Sequence, residues 1–268
     1  GGGQACFDQQ HGCRKGIGAV YADRVRLDQA GIAARISGLF GSMAVESRLV
    51  GRFNLDNILC AVGVGAALKL DPARMAAALA SFASVPGRLE RVPDLLDRHV
   101  FVDYAHTPDA LANVLSTLKT IMTGRLICVF GCGGDRDRTK RPIMGATAAR
   151  LSDPVIVTSD NPRTEAPEAI IADILAGIGR EMTQKYRPED LESGVDEPGF
   201  GVEPDRAAAI ALGIRAARAG DTVLIAGKGH EPYQILADRV IPFDDRTQAA
   251  ASLAHRNAWC VCPKGGEG

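Results

Sequence analysis

Four short stretches of this sequence concentrate the residue types that do chemistry. They are Asp103-Tyr104-Ala105-His106-Thr107-Pro108-Asp109, Gly131-Cys132-Gly133-Gly134-Asp135-Arg136-Asp137-Arg138, Thr158-Ser159-Asp160-Asn161-Pro162-Arg163 and Gly227-Lys228-Gly229-His230-Glu231. Three glycines followed by alternating charge read as a loop that receives an anion or a substrate. Asp160-Asn161-Pro162 is good turn chemistry in its own right, but Arg163 has no part in a turn and favours a binding role. Gly227 to Glu231 is the hardest to read as plain structure, because two glycines flank a cation and a titratable pair follows. Asp103 and His106 could equally serve as helix-cap residues.

Each stretch follows an apolar run of strand type, at 100–103, 126–130, 155–157 and 222–226. The segments between are helical: Thr107-Pro108 caps a helix to about 118, and others are expected at 144–151 and 168–178. Asp205 caps one reaching 218, which Gly220 ends, and 247–255 makes a last helix. Strands alternating with helices predict an α/β fold with a Rossmann-like, doubly wound, mainly parallel sheet. Ligands of such sheets bind beyond the carboxyl ends of the strands, so the four stretches read as one active-site edge. Residues 180–204, polar with Gly and Pro, are expected to form a long loop or insertion with room for a short β-hairpin.

Upstream the rhythm differs. Residues 1–47 are Gly-punctuated and β-rich. Residues 54–70 carry a helical apolar stripe of Ile58, Leu59, Val62, Ala66 and Leu70, and Asp71-Pro72 starts a second helix over 73–82. Pro86-Gly87 then marks a boundary, dividing the chain into domains 1–86 and 87–268.

With 268 residues, 46% hydrophobic and 24% charged, the chain can bury a sizeable core. Lys plus Arg number 31 against Asp plus Glu 32, a net charge of -1, so the global basic surface of a nucleic-acid binder is absent. No apolar run approaches the roughly 20 residues that span a bilayer. Seven scattered cysteines do not form a disulfide framework and point to the reducing cytoplasm. Cys60 and Cys128 are expected as small buried hydrophobes, and the lone Cys260-x-Cys262 pair makes no zinc site. Residues 1–10 carry neither a signal pattern nor an initiator Met, and read like a chain entered in the middle of a protein. The tail 264–268 is expected to be a flexible end.

Two nucleotide fingerprints fail. Gly131-x-Gly133 has Arg136 where a dinucleotide loop needs its third glycine, and no G-x-x-x-x-G-K-[ST] occurs. The chain therefore holds no complete phosphate loop for ATP.

Taken in order, Gly51-Arg52-Phe53-Asn54 with Asn57, Gly87-Arg88-Leu89-Glu90 and the four stretches above resemble the Mur ligases over about residues 49–246. Among them the resemblance is to the branch that adds meso-diaminopimelate to UDP-MurNAc-L-Ala-D-Glu in peptidoglycan synthesis. It implies ATP and Mg2+ as cofactors and an acyl-phosphate intermediate attacked by the amine. It also implies that 1–86 is the last part of a central ATP-binding domain, without the phosphate loop, and 87–268 a C-terminal amino-acid-binding domain. The missing upstream domains of the same ligase would be partners, and the chain alone would be an inactive fragment. The diaminopimelate set implied by the resemblance is Arg136, Asp160, Asn161, Pro162, Arg163, Gly227 and Glu231. In it the two guanidiniums clamp the distal carboxylate, Asn161 adds a neutral hydrogen bond and Glu231 takes the distal ammonium. The implied nucleotide set is Asn54, Asn57, Arg88, Asp103 and His106; no catalytic residue or metal ligand is assigned. Lysine-adding relatives would have no use for the Arg163 clamp. A folylpolyglutamate synthetase-like ligase should lack the Asp160 to Arg163 segment, and a nicotinamide oxidoreductase fails on glycine spacing. A non-catalytic amino-acid or nucleotide-binding module remains the rival from another class.

Overall fold

The computed structural model describes residues 11–12 and 20–261, and the side chains of 20–254. Cys262 and the tail 264–268 lie outside the described residues, as does the side chain of Cys260. The chain divides into two compact units between Ser84 and Val85.

The first unit begins with an antiparallel sheet in the order β1 (His11–Gly12), β2 (Tyr21–Asp28), β3 (Gly31–Gly38), β4 (Gly41–Ser47). Asp28 Oδ1 closes the β2–β3 turn by accepting from the N–H groups of Ala30 (2.8 Å) and Gly31 (3.2 Å). Ile32, Ala34 and Ile36 of β3 point inward in the alternation that a half-buried strand requires. They pack with Leu55, Ile58 and Val62 of α1 (Arg52–Ala67) and Met75 of α2 (Pro72–Ser81). Asp71 caps α2 by accepting from Arg74 N at 3.0 Å, with Pro72 in its first turn. Two expectations are corrected here. Cys60 is exposed, because one residue beyond Leu59 the 100° helical step carries it away from the buried stripe. Leu70 is exposed too, since α1 ends at Ala67 and no longer carries the stripe.

The second unit is built on six strands in the order β5 (Glu90–Val92), β6 (His99–Asp103), β10 (Thr222–Ala226), β7 (Leu126–Phe130), β8 (Pro154–Val157), β9 (Gly199–Val202). Only the edge strand β5 is antiparallel. The central strands are buried along their whole length, as strands covered on both faces must be. On one face Val100, Val102, Ile127, Val129 and Ile225 pack against α7 (Arg206–Ala216) and α8 (Asp245–Val261). The alternate residues, Phe101, Cys128 and Phe130, turn to the opposite face, where α3 (Pro108–Ile121) lies against β7 and β10, and α4 (Lys140–Leu151) lies against β8. α5 (Pro167–Ile178) packs on α4. Thr107 and Asp205 cap α3 and α7, accepting from Ala110 N and Ala208 N. This is the doubly wound, mainly parallel α/β sheet expected from the sequence. Among the described residues no helix is long and apolar enough to cross a membrane.

After β9 the chain returns over the sheet through α7 and inserts β10 between β6 and β7. The register sets Ala226 beside both Asp103 and Phe130, and Phe130 beside Val157, so four strands end at one level.

The stretch 180–204 departs from the expected hairpin. It contains α6 (Pro188–Ser193) and then β9, which pairs parallel with β8. Its outer side is covered by residues 184–186, with Tyr186 N donating to Phe200 O (2.8 Å) and Phe200 N to Gln184 O (2.9 Å). Four residues, Gly-Phe-Gly-Val, are too few for a two-residue period to register in the sequence. The short hairpin of β11 (Tyr233–Ile235) and β12 (Val240–Pro242) was likewise not anticipated.

Candidate functional site

The loops leaving β7, β8 and β10 are bonded into one body. Gly134 N donates to Asn161 O (2.9 Å), and a Cβ on Gly134 would lie 1.9 Å from Pro162 O, so only glycine permits this approach. Asp135, at φ 53°, accepts from Thr164 Oγ1 (2.7 Å) and Thr164 N (3.2 Å), while its own N–H donates to Glu165 Oε1 (2.6 Å). Beneath them lies the fully buried Arg141. Its guanidinium donates to both oxygens of Glu165 (2.7 and 2.9 Å), to Asp173 Oδ2 (2.9 Å) and to Gly133 O (3.2 Å). Arg141 and the Asp135 amide hold the Glu165 carboxyl down at about 2. The N–H groups of Gly134 and Asp135 thus already have protein acceptors, which distinguishes this loop from a phosphate cradle.

Arg163 adopts a left-handed backbone (φ 53°), fixed by its N–H donating to Ile235 O at 3.2 Å. Its Nη1 donates to Gly134 O (2.8 Å) and Asn161 O (3.3 Å). Arg136 is exposed and donates to Asp135 O (3.0 Å). A Cβ on Gly133 would fall 3.0 Å from Arg163 Nη1 and 3.8 Å from Arg136 Cγ, so the two arginines flank the same glycine.

On the other side, Gly227 takes φ +123° and passes with its Cβ position 3.3 Å from Asp160 Oδ2. The next residue, Lys228, is fully buried, with Nζ 2.8 Å from Asn161 Oδ1, 3.3 Å from Asp160 Oδ1 and 3.7 Å from Glu231 Oε2. Asn161 Nδ2 donates to Glu231 Oε2 at 3.0 Å. The β11–β12 hairpin completes this group, with Gln234 Nε2 donating to Asp160 O (2.6 Å) and Ile235 N to Asn161 Oδ1 (3.0 Å). Below it, the buried Arg206 pairs with Asp245 (2.7 and 2.8 Å) and donates to Ser159 O and Ala226 O, tying the ends of β8 and β10 together. Burial alone would lower the Arg206 pKa, and the carboxylates of Asp245, Asp160 and Glu231 together more than offset it.

All seven residues of the expected amino-acid set, Arg136, Asp160, Asn161, Pro162, Arg163, Gly227 and Glu231, therefore sit on these three interlocked loops. They offer guanidinium donors on one side, a carboxylate on the other and an amide between, which is the charge pattern that complements an amino acid's carboxylate and ammonium.

The expected nucleotide set is placed differently. Asp103, Arg88 and His106 gather around Tyr104. Asp103 Oδ2 accepts from Leu89 N (2.7 Å); burial raises its pKa, partly offset by the Leu89 and Ala105 N–H groups. The Arg88 guanidinium stands 5.2 Å from the centre of the Tyr104 ring, and the His106 ring is 4.5 Å from it. Arg88 and His106 are exposed, and His106 Nδ1 lies 2.8 Å from Tyr104 O. Asn54 and Asn57 belong to the first unit, at the start of α1. There Asn54 Nδ2 donates to Val50 O (2.8 Å), and Asn57 Nδ2 reaches Asn54 Oδ1 at 3.4 Å.

Sequence reasoning passed over Arg141, Glu165, Arg206 and Gln234. Arg141 closes a charged run at the start of α4 and Arg206 opens α7 beside its cap, so neither stands out in the sequence, and Gln234 offers no signal. Lys228 stands out in the sequence as a cation between glycines, with nothing to indicate its partner. Among the described residues no three His, Cys, Asp or Glu side chains converge as a metal site.

The profile described as "Mur ligase, glutamate ligase domain" matches residues 87–229. The UDP-N-acetylmuramoyl-L-alanyl-D-glutamate–2,6-diaminopimelate ligase of Geobacter metallireducens is 51% identical over 234 residues, which is 87% of this chain and 46% of the relative. The protein of the same name from Gloeobacter violaceus is 50% identical over 240 residues, 89% of this chain and 46% of the relative. A solved structure of a ligase of that name superposes with a TM-score of 0.64 at 38% identity, covering 88% of this chain and 45% of that one. The chain thus spans about half the length of the relatives it matches.

Proposed function

The chain belongs to the Mur ligase family, and from that premise we propose that it forms the amino-acid-binding part of an ATP-dependent ligase that adds meso-diaminopimelate to UDP-MurNAc-L-Ala-D-Glu. The observation that carries this reading is the pairing of Arg163 and Arg136 across Gly133, opposite Glu231 and beside Asn161. Such an arrangement suits a side chain ending in its own carboxylate and ammonium; lysine would bring the two guanidiniums no carboxylate.

In this reading Arg163 and Arg136 hold the distal carboxylate, Asn161 donates to it and Glu231 receives the distal ammonium. Gly227 keeps the backbone clear of the ligand where a Cβ would press on Asp160. Fixing the far end of the amino acid aims its other amine at the activated carboxylate. Attack forms a tetrahedral intermediate, and its collapse yields the amide and expels phosphate. ATP with magnesium, when bound, supplies that activation. This chain's own residues contribute positioning, which can account for a large share of such a barrier.

Asp103, Arg88 and His106 are assigned to the nucleotide, with Tyr104 as the surface that gathers them, and Asn54 and Asn57 from the first unit are assigned to it as well. We take 1–86 as the end of a central ATP-binding domain and 87–268 as the amino-acid domain, in a cytoplasmic enzyme of the relatives' length. By itself the chain would bind amino acid without turnover. The test is phosphate release by a protein extended upstream through a phosphate loop. Release that depends on UDP-MurNAc-dipeptide and meso-diaminopimelate, with L-lysine at least 100-fold poorer, is expected at roughly the discrimination a missing charged hydrogen-bond partner brings. Equal use of both amino acids would overturn the assignment.

A further inference from the structure

Lys228 is fully buried, as Arg141 and Arg206 are beneath the loops, but unlike them it contacts Asn161 and Glu231 directly, and the reaction proposed above gives it no task. Its ammonium carries three donors and no acceptor. The nearest acceptor is not a carboxylate: Nζ lies 2.8 Å from Asn161 Oδ1, against 3.3 Å to Asp160 and 3.7 Å to Glu231. The same Asn161 oxygen takes a second hydrogen bond from Ile235 N (3.0 Å). Its nitrogen faces the acceptor-only Glu231 carboxylate at 3.0 Å. Three neighbours of fixed polarity therefore agree on which end of the amide is oxygen. With both lone pairs of Oδ1 engaged, the remaining capacity of Asn161 is the second N–H of Nδ2.

We propose that Lys228 is a positioning residue that fixes the polarity of the Asn161 amide, so that Asn161 meets a ligand only as a donor and hence only through the ligand's carboxylate. This rests on the amino-acid site proposed above and adds to it a division of labour. Arg163 and Asn161 read the carboxylate as parallel donors, and Lys228 keeps Asn161 from turning its oxygen toward the ligand. Without Lys228 the amide loses one of the two donors that define its orientation, and a flipped amide would oppose a carboxylate while accepting from an ammonium.

The test compares wild-type chain with Lys228→Met, a near-isosteric replacement, by calorimetric titration against meso-diaminopimelate and L-lysine. Lysine keeps the distal ammonium and lacks the distal carboxylate. A role through Asn161 predicts affinity for diaminopimelate weaker by about 10- to 100-fold, with lysine binding changed less than threefold. Equal losses for both ligands would mean that Lys228 acts through Glu231 or on the fold, and no loss for either would mean that it positions nothing; each overturns the proposal. Asn161→Asp keeps the shape and removes the donor, so it should narrow the same preference even if the Met variant does not fold.

A ligand-free measurement separates this claim from the site reading it rests on. In 15N-labelled wild-type protein the Asn161 side-chain amide should give two inequivalent protons, one protected from exchange. Lys228→Met should move these signals and raise the exchange rate at least tenfold; unchanged signals would refute the positioning role. If neither amino acid binds wild-type chain, the site reading fails and this spectrum alone decides the role of Lys228.

Discussion

The two halves of the strand-end rim are built in opposite ways. On the β7–β8–β10 side, Arg163, Asn161, Asp160 and Lys228 are held by one another, by the Arg141–Glu165 pair below and by the β11–β12 hairpin. On the β6 side, Arg88 and His106 are exposed around Tyr104, and only Asp103 is buried. The first half is preorganised within this chain, so its groups lose little freedom when a ligand arrives. The second presents charged tips to solvent around the Tyr104 ring. A preorganised half suits recognition of a small rigid charge pattern.

The contrast can be broken most sharply at Arg163. Arg163→Ala should weaken meso-diaminopimelate binding by about 2–3 kcal/mol, the usual worth of charged hydrogen bonds lost from a partly buried site. Titration of the variant measures it, and a loss below twofold would deny the arginine its role. Next is Gly134→Ala, whose Cβ would meet Pro162 O at 1.9 Å. Separation of the two loops should cost about 1–3 kcal/mol of stability, read from chemical denaturation, together with a parallel loss of ligand affinity. Stability lost with affinity retained would show that the loop contact does not shape the site.

A pH series sharpens the comparison further. The Glu165 carboxyl is depressed in the folded chain from about 4.5 to about 2. Its interactions therefore stabilise the fold fully above pH 4.5, and that contribution is lost as pH falls toward 2. The difference in melting temperature between wild type and Glu165→Gln should be largest at neutral pH, shrink below about pH 4.5 and close toward pH 2; a constant gap would contradict the clamp. The smallest effect belongs to the other half of the rim. His106→Ala should change stability by less than about 0.5 kcal/mol, as exposed substitutions do, and should leave amino-acid binding untouched.

The legibility of the molecule in its sequence follows the same division. The four central strands and their helices were readable because full burial makes continuous apolar runs and because Thr107 and Asp205 are strong caps, as Asp71 is for α2 in the first unit. Strands β5, β9 and β11 were not, since three or four residues carry no period, and β9 moreover pairs with a strand far back along the chain. Cys60 was misjudged because its neighbours on α1 are apolar while its own helical face is exposed. At the site, residues that would touch a ligand announced themselves by glycine and charge beyond a strand. Arg141, Glu165, Arg206 and Gln234, which hold those residues in place, are recognisable only once the loops are folded against each other. Lys228 lies between the two cases, visible as a cation but silent about its partner.

The central claim is that the interlocked half of the rim is already set for a carboxylate and an ammonium on one carbon. Calorimetric titration of this chain with meso-diaminopimelate and L-lysine, each repeated on Arg163→Ala, tests it most directly. The account predicts that diaminopimelate binds far more tightly than lysine and that Arg163→Ala weakens it by about 2–3 kcal/mol while changing lysine little. Equal binding of both amino acids, or binding indifferent to Arg163, would contradict it.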